Sequence, residues 1–198
     1  MEYSFISGAT GGIGKAFCFA LAKRGENLFL TGRSTEKLKS LKEELFVFNP
    51  DVDVKICACE LIDENSREDM LEFIDSENVK FNRICNVAGV DIQKPFMDFT
   101  EEKVLMQIRV NVEATITLTH QLLKRRAEKL EIVTISSMSG QSPMPYFALY
   151  SATKAALTNF FTALHYELKE SGVKVTVVLP GGVPTRPDLI KAIKEQGF

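Results

Sequence analysis

Short apolar runs alternate with amphipathic stretches along the whole chain, and this alternation limits the fold more than any other feature. Six runs rich in Val, Ile, Leu and Phe are predicted to be strands: Tyr3–Ser7, Asn27–Thr31, Val52–Cys59, Arg83–Val87, Leu130–Ser136 and Val173–Leu179. Continuously apolar runs of this length are typical of strands that are buried on both faces of a parallel sheet.

Helical patterns fill the segments between these runs. The first has apolar residues at helical spacing from Ile13 to Leu21 and stops at Gly25. Further helices are predicted over Thr35–Phe48 with Ser34 as N-cap, over Ser66–Ser76 with Asn65 and Glu68 as a capping box, from Thr100 onward, and around Leu157–Leu168 before Gly172. The alternation predicts right-handed crossovers, so residues 1–198 are expected to form one α/β domain with a doubly wound parallel sheet in three layers.

The charge of the chain argues against nucleic acid as a partner. The formal net charge is −2, without the basic excess that neutralises phosphates. The run Lys124-Arg125-Arg126 is interpreted as the solvated end of a helix. No apolar run reaches the roughly 18 residues that cross a bilayer, and the N-terminus lacks the layout of a signal peptide.

The four cysteines favour a reducing compartment. Cys18, Cys57, Cys59 and Cys85 form no Cys-x-x-Cys pair, and each lies in an apolar segment. They are interpreted as reduced, buried residues, and a cytoplasmic protein is expected. No group of His, Cys and Asp has the spacing of metal ligands.

A glycine-rich loop follows the first predicted strand and opens the first helix: Ser7-Gly8-Ala9-Thr10-Gly11-Gly12-Ile13-Gly14. Glycines at such a place permit a tight turn and the close approach of backbone N–H groups to a pyrophosphate at a helix N-terminus. A nucleotide triphosphatase loop is disfavoured, because Ala9 and Ala16 stand where it needs a glycine and a hydroxyl residue. The alternative is a glycine-rich turn that binds nothing.

The second predicted strand leads into Arg33 and Ser34. A carboxylate at this place usually bonds the ribose 2′-hydroxyl of NAD, whereas a guanidinium binds a 2′-phosphate through two hydrogen bonds. Arg33, assisted by Ser34, therefore favours NADP(H), and Glu36 keeps NAD(H) open as the alternative.

Tyr150 and Lys154 lie four residues apart at the start of the last long helix, so both project from one face. Ser137 follows the fifth strand at the end where ligands bind in open parallel sheets. Ser136 is the rival candidate for the same position.

Together these motifs resemble the short-chain dehydrogenase/reductase family, in its short rather than its extended branch. The resemblance rests on Gly8, Gly12 and Gly14; Asn86-Val87-Ala88-Gly89; Asn111; Ser137; Tyr150 with Lys154; and Pro180-Gly181-Gly182-Val183-Pro184-Thr185. The motifs come in family order and cover nearly the whole chain. The resemblance implies a Rossmann-type fold and an NADP(H)-dependent oxidoreductase that moves hydride between nicotinamide and a carbonyl or alcohol carbon.

The resemblance also implies the role of each catalytic residue. Tyr150 is expected to be the acid/base, with its pKa lowered from about 10 by the Lys154 ammonium and an oxidised nicotinamide. Lys154 is expected to hold the nicotinamide ribose, Ser137 to hydrogen-bond the reacting oxygen, and Asn111 to help hold a water-mediated proton relay. Further cofactor contacts are expected from Gly8, Thr10, Gly11, Gly12, Ile13, Gly14, Glu60, Leu61, Asn86, Ala88, Gly89, Pro180, Gly181, Val183 and Thr185.

The end of the chain departs from the family pattern. Relatives continue after the Pro-Gly motif with a substrate-covering segment and further strands and helices, whereas this sequence stops at Phe198. Either the chain is short by nature or it is a piece of a longer one. Met138, Gln141, Met144, Phe147 and Gly182-Val183 are expected to form an apolar substrate wall, and the two long helices are expected to pair in a homodimer or homotetramer.

Two other functions remain open at this stage. One is a catalytically silent domain that binds or senses a dinucleotide. The other is an epimerase or dehydratase on the same fold, which the glycine spacing disfavours.

Overall fold

The computed structural model describes residues 1–182, so the predictions made for Val183, Pro184 and Thr185 lie outside the described residues. The strands are β1 (Glu2–Ile6), β2 (Leu28–Gly32), β3 (Val54–Ala58), β4 (Lys80–Asn86), β5 (Arg126–Ile135) and β6 (Val173–Val178). The helices are α1 (Gly12–Lys23), α2 (Thr35–Phe48), α3 (Glu64–Ser76), α4 (Glu101–Ile108), α5 (Thr115–Leu123) and α6 (Ala148–Glu167). A π-helical segment, Arg109–Ala114, joins α4 to α5.

The strands form one parallel sheet in the order β3-β2-β1-β4-β5-β6. The chain runs outward from β1 to β3 and then crosses back to β4 on the other side of β1. The order therefore reverses between β1 and β4, which is where ligands bind in doubly wound sheets. The predicted α/β fold with a Rossmann-type parallel sheet is confirmed.

Neighbouring residues of one strand enter different apolar clusters, because successive side chains point to opposite faces of a sheet. Phe5 packs with Phe29 and Phe81 at ring-centroid distances of 5.8 to 5.9 Å, in a cluster that also contains residues of α3, α5 and α6. Ile6 belongs to a second cluster with residues of α1 and α2. Helices thus cover both faces of the sheet, as predicted.

Helix ends show where local sequence rules hold. Helix α2 has the predicted bounds, and the Ser34 hydroxyl accepts a hydrogen bond from the Lys37 N–H at 3.2 Å. The predicted capping box of α3 is wrong. The Asp63 carboxylate accepts from the Asn65 N–H at 3.1 Å, so α3 starts at Glu64, two residues earlier than predicted.

Two further boundaries differ from the prediction, the start of β5 and the end of α6. Strand β5 begins at Arg126 instead of Leu130, because its start pairs with Phe81 of β4. Helix α6 ends at Glu167, and Gly172 lies in the following turn with φ +77°.

Arg125, predicted to be solvated, makes two 2.6 Å hydrogen bonds to the Asp75 carboxylate.

The cysteines are free, and three of the four are buried. Cys57 is the exception, since it lies half-buried on the edge strand β3. Across residues 1–182 no helix combines the length and the apolarity that crossing a membrane requires.

Candidate active site

A cavity of about 1010 Å³ opens at the carboxyl ends of the strands. Its wall draws on the segment after each strand, from the glycine loop after β1 to Pro180 after β6. Most of the predicted site residues line it: Gly8, Thr10, Gly11, Gly12, Ile13, Gly14, Arg33, Glu60, Leu61, Ala88, Gly89, Ser137, Tyr150, Lys154, Pro180 and Gly181. Ser34, Asn86 and Asn111 do not.

The glycine loop fits its neighbours too tightly for side chains. Gly8 has φ +64°, and a Cβ there would lie 2.8 Å from the Cα of Ala88. A Cβ at Gly14 would lie 2.1 Å from the carbonyl oxygen of Gly8. Both residues are therefore required for the turn that brings α1 against β1. No side chain caps the N-terminus of α1 at Gly11, and the first residues of this helix line the cavity.

Two cations lie at the end of β2. Arg33 and Lys37 both line the cavity, together with Thr31 and Gly32. Lys37 was not predicted as a site residue, although it lies in the first turn of α2, directly after Arg33 and Ser34. Ser34 does not line the cavity, since its hydroxyl caps α2 and donates to the Glu36 carboxylate at 2.9 Å.

The segment after β4 is fastened to the glycine loop. The Ser7 hydroxyl accepts hydrogen bonds from the N–H groups of Val87 and Ala88 at 3.1 and 3.2 Å. Asn86 instead points into the core, where its amide donates to the hydroxyls of Thr119 and Thr134 at 3.0 and 3.2 Å. Asn86 thus holds β4 to its neighbours, and Val87 is the residue of this motif that sequence reasoning did not place on the cavity wall.

Asn111 lies in the π-helical segment and is fully buried. Its Oδ1 accepts from the Val90 N–H at 2.8 Å, and its Nδ2 donates to the Val90 carbonyl at 3.0 Å and to the Thr153 hydroxyl at 3.0 Å. The Thr153 hydroxyl in turn donates to the carbonyl of Tyr150 at 2.7 Å. Asn111 therefore ties the segment after β4 to the first turn of α6.

Lys154 is buried, with 3% of its surface exposed, and its Nζ donates to the carbonyl of Ile135 at 2.8 Å. The Nζ also lies 5.6 Å from the centre of the Tyr150 ring. Burial lowers the pKa of Lys154 to about 8, against the opposing effect of the Asp91 carboxylate. At Gly140 a Cβ would lie 2.8 Å from the Lys154 carbonyl carbon, so this glycine lets the turn after β5 pack on α6.

The expected lowering of the Tyr150 pKa is not produced by the protein's own groups. Burial raises this pKa above its usual value and the Asp91 carboxylate adds to the rise, while the neighbouring Ser137 hydroxyl opposes them. The desolvation of the phenol outweighs the attraction that was expected from Lys154. With these groups alone, Tyr150 is a protonated phenol at neutral pH.

The two rival serines have different partners. The Ser136 hydroxyl donates to the Lys154 carbonyl at 2.8 Å and lies 2.7 Å from the Thr158 hydroxyl. The Ser137 hydroxyl accepts from the N–H and the hydroxyl of Ser139 at 3.2 and 2.9 Å and acts on the titration of Tyr150. Ser136 is thus engaged with α6, and Ser137 is the serine beside the phenol.

The other end of the cavity is mostly apolar. Of the expected substrate wall, Met138, Met144, Phe147 and Gly182 line it; Gln141 does not, and Val183 lies outside the described residues. The structure adds Val90, Asp91, Met106 and Val110, which the sequence analysis did not name. Among residues 1–182, no three His, Cys, Asp or Glu side chains come together as a metal site.

Comparison with known proteins agrees with this geometry. The family model described as short chain dehydrogenase matches residues 3–195. The very-long-chain 3-oxoacyl-CoA reductase of Anas platyrhynchos is 33% identical over 195 residues, which cover 93% of this chain and 60% of that protein. The inactive hydroxysteroid dehydrogenase-like protein 1 of Homo sapiens is 33% identical over 190 residues, which cover 93% of this chain and 56% of that protein. The chain thus spans less than two thirds of the length of either relative.

A solved structure has the same fold. L-sorbose reductase from Gluconobacter frateurii, complexed with NADPH and L-sorbose, superposes with a TM-score of 0.89 at 26% identity, covering 98% of this chain and 74% of that one. Because the family model matches almost the whole chain, the conclusion is direct. This chain belongs to the short-chain dehydrogenase family.

Proposed function

We propose that the chain is an NADP(H)-dependent oxidoreductase that reduces a carbonyl compound or oxidises the corresponding alcohol. One observation carries this proposal: a single cavity is lined by the glycine loop, by Arg33, and by Ser137, Tyr150 and Lys154. These residues come from four separate segments. Their convergence on one cavity would place a bound dinucleotide next to the residues that handle the substrate oxygen, as hydride transfer requires.

The residues present fit a dinucleotide. Gly8 and Gly14 permit the tight turn that places the glycine loop on the cavity wall, beside the N-terminus of α1, where a pyrophosphate would bind. Arg33 and Lys37 would bind a 2′-phosphate through charge-assisted hydrogen bonds. Glu36 lies in the exposed first turn of α2 and accepts a hydrogen bond from Ser34, which favours NADP(H) over NAD(H).

When bound, the nicotinamide supplies or accepts the hydride. As hydride reaches a carbonyl carbon, negative charge develops on the oxygen, and the hydroxyls of Ser137 and Tyr150 stabilise it by donating hydrogen bonds. Tyr150 then gives its proton to that oxygen. The raised pKa of Tyr150 keeps the proton on the phenol at neutral pH, so the proton to be transferred is in place. It also makes the phenol a weaker acid, which a positive charge near the phenol must offset.

Lys154 and Asn111 support the phenol in different ways. The Lys154 ammonium, near the Tyr150 ring, favours the tyrosinate left after proton transfer. Asn111 acts as a positioning residue, since it fixes Val90 and, through Thr153, the turn that carries Tyr150. A water-mediated proton relay near Lys154 stays a prediction.

The test is a titration with NADPH and NADH, followed by NADPH oxidation with a panel of aldehydes and ketones. We expect tighter binding of NADPH and turnover of at least one apolar ketone. Absence of NADPH binding would contradict the proposal.

A second candidate is a domain that binds the dinucleotide without catalysis. It is favoured by one observation, the 33% identity to a human relative whose name calls it inactive. It predicts saturable NADPH binding with no turnover of any carbonyl compound. The complete set of Ser137, Tyr150 and Lys154 around one cavity favours the enzyme.

Association with a second copy is also proposed. Leu105 and Ile108 of α4 and Phe160 of α6 are exposed by 42%, 39% and 36% although they are large and apolar. Pairing of these helices would bury them. Ile108→Glu is expected to reduce the mass measured by light scattering, whereas Lys103→Glu on the same helix is the matched control. An unchanged mass for Ile108→Glu would contradict this mode of association.

A further inference from the structure

The substrate end of the cavity combines an apolar wall with one carboxylate. Its apolar side chains are Val90, Met106, Val110, Met138, Met144 and Phe147. The other ionisable groups on the cavity wall are Arg33, Lys37, Cys59 and Glu60 at the nucleotide end, and Tyr150 and Lys154 at the reacting end. Asp91 is therefore the one acidic side chain that lines the substrate end within residues 1–182.

The backbone on both sides of Asp91 is fixed. The preceding residue, Val90, is bound through its N–H and its carbonyl to the Asn111 amide. Three residues further on, the Lys94 N–H donates to the Tyr146 carbonyl at 3.0 Å. The carboxylate is thus carried on an anchored segment at the rim of the cavity.

Within residues 1–182, Asp91 has no cationic partner. No salt bridge between described residues includes it. Its charge reaches the reacting groups, because it raises the pKa of both Tyr150 and Lys154. A carboxylate that acts on these two groups also acts on a charged group of a substrate held between them.

We propose that Asp91 determines substrate specificity, so that the site prefers ketones with an apolar body and a cationic ammonium group near the carbonyl and disfavours anionic ketones. This inference rests on the proposed oxidoreductase function. Asp91 would attract an ammonium and repel a carboxylate, so it changes the binding of cationic and anionic ketones in opposite directions. Because Asp91 is exposed at the rim of the cavity, water screens part of both effects.

The test compares three phenyl ketones whose three-carbon chains end in a methyl group, a trimethylammonium group or a carboxylate. For the wild-type protein we expect kcat/KM to be about tenfold higher for the cationic than for the neutral ketone, and about tenfold lower for the anionic one. Ratios between substrates are compared within each variant, so an effect of Asp91 on the titration of Tyr150 or Lys154 cancels.

Three variants decide the outcome. In Asp91→Asn the three values should fall within about threefold of one another, and in Asp91→Lys the order should invert. Asp98→Asn removes an exposed carboxylate that does not line the cavity and should keep the wild-type ratios. An NADPH titration of each variant shows that the fold and the nucleotide end are intact.

Turnover with the same charge preference in Asp91→Asn as in the wild type would overturn this inference alone. Failure of the wild-type protein to reduce any ketone would overturn the proposed function and this inference with it.

Discussion

The two ends of the cavity are built in different ways. At the nucleotide end, the backbone of the glycine loop packs closely against its neighbours. A Cβ at Gly8 would lie 2.8 Å from the Cα of Ala88, and a Cβ at Gly14 would lie 2.1 Å from the Gly8 carbonyl oxygen. The substrate end is made of large side chains, such as Met106 and Phe147, from segments far apart in sequence. We therefore expect substitutions at Gly8 and Gly14 to disturb the loop, and substitutions of the substrate-end side chains to be tolerated better.

Gly14→Ala tests the tight end most severely. The added methyl group would overlap the Gly8 carbonyl oxygen and must displace the loop, so NADPH affinity is expected to fall by about 100-fold. The measurement is a fluorescence titration with NADPH.

Gly25→Ala is the matched control for this change. Gly25 has φ +74° but nothing within 4 Å of an added Cβ, so this variant should lose stability and keep its NADPH affinity. An equal loss of affinity in both variants would show that the close fit at Gly14 is not the cause.

Arg33→Ala is expected to have the next largest effect, on cofactor choice. Loss of charge-assisted hydrogen bonds to the 2′-phosphate should weaken NADPH binding by about 30-fold and change NADH binding by less than about threefold. Both affinities are measured by calorimetry, with Arg24→Ala, an exposed cation outside the cavity, as the control. Unchanged NADPH affinity would remove Arg33 from the cofactor site.

The substrate end gives the smallest effect, in the pH dependence of ketone reduction. Because the pKa of Lys154 is about 8, the rate should fall as pH rises through that value and the ammonium loses its proton. The Asp91 carboxylate raises this pKa, so in Asp91→Asn the fall should begin at lower pH, with a rate about two- to threefold below wild type at pH 8. Profiles of kcat/KM for a neutral ketone, with Asp98→Asn as control, check this.

A shift of the fall toward higher pH in Asp91→Asn would contradict the sign of this electrostatic effect. An absence of any fall between pH 7 and 9 would show that the Lys154 ammonium does not support the reaction.

The same division explains which features could be predicted from sequence. The glycine loop and the pair Tyr150 and Lys154 could be found because local sterics and helical spacing fix them. The parallel sheet with helices on both faces followed from the alternation of strands and helices, since crossovers have one hand. These features depend on short stretches of chain.

The remaining features depend on what folding brings together. The Asn86 side chain points into the core because its amide donates hydrogen bonds to the hydroxyls of Thr119 and Thr134. No local sequence pattern predicts this orientation. The raised pKa of Tyr150 follows from its burial by distant segments. The place of Asp91 on the cavity wall depends on the hydrogen bond between Asn111 and the neighbouring Val90, which joins two separate segments. The charges and the burial around a side chain are tertiary properties. The site residues could therefore be predicted from the sequence, but the shifts of their pKa values could not.

Tyr150 is proposed to supply the proton to the substrate oxygen, whereas the nucleotide end of the cavity only binds the cofactor. The most direct measurement is ketone-dependent NADPH oxidation by Tyr150→Phe, with NADPH affinity measured on the same sample. For Tyr150→Phe we expect kcat/KM to fall by about 1000-fold while the NADPH affinity stays within about threefold of wild type. Turnover by Tyr150→Phe at the wild-type rate would contradict it.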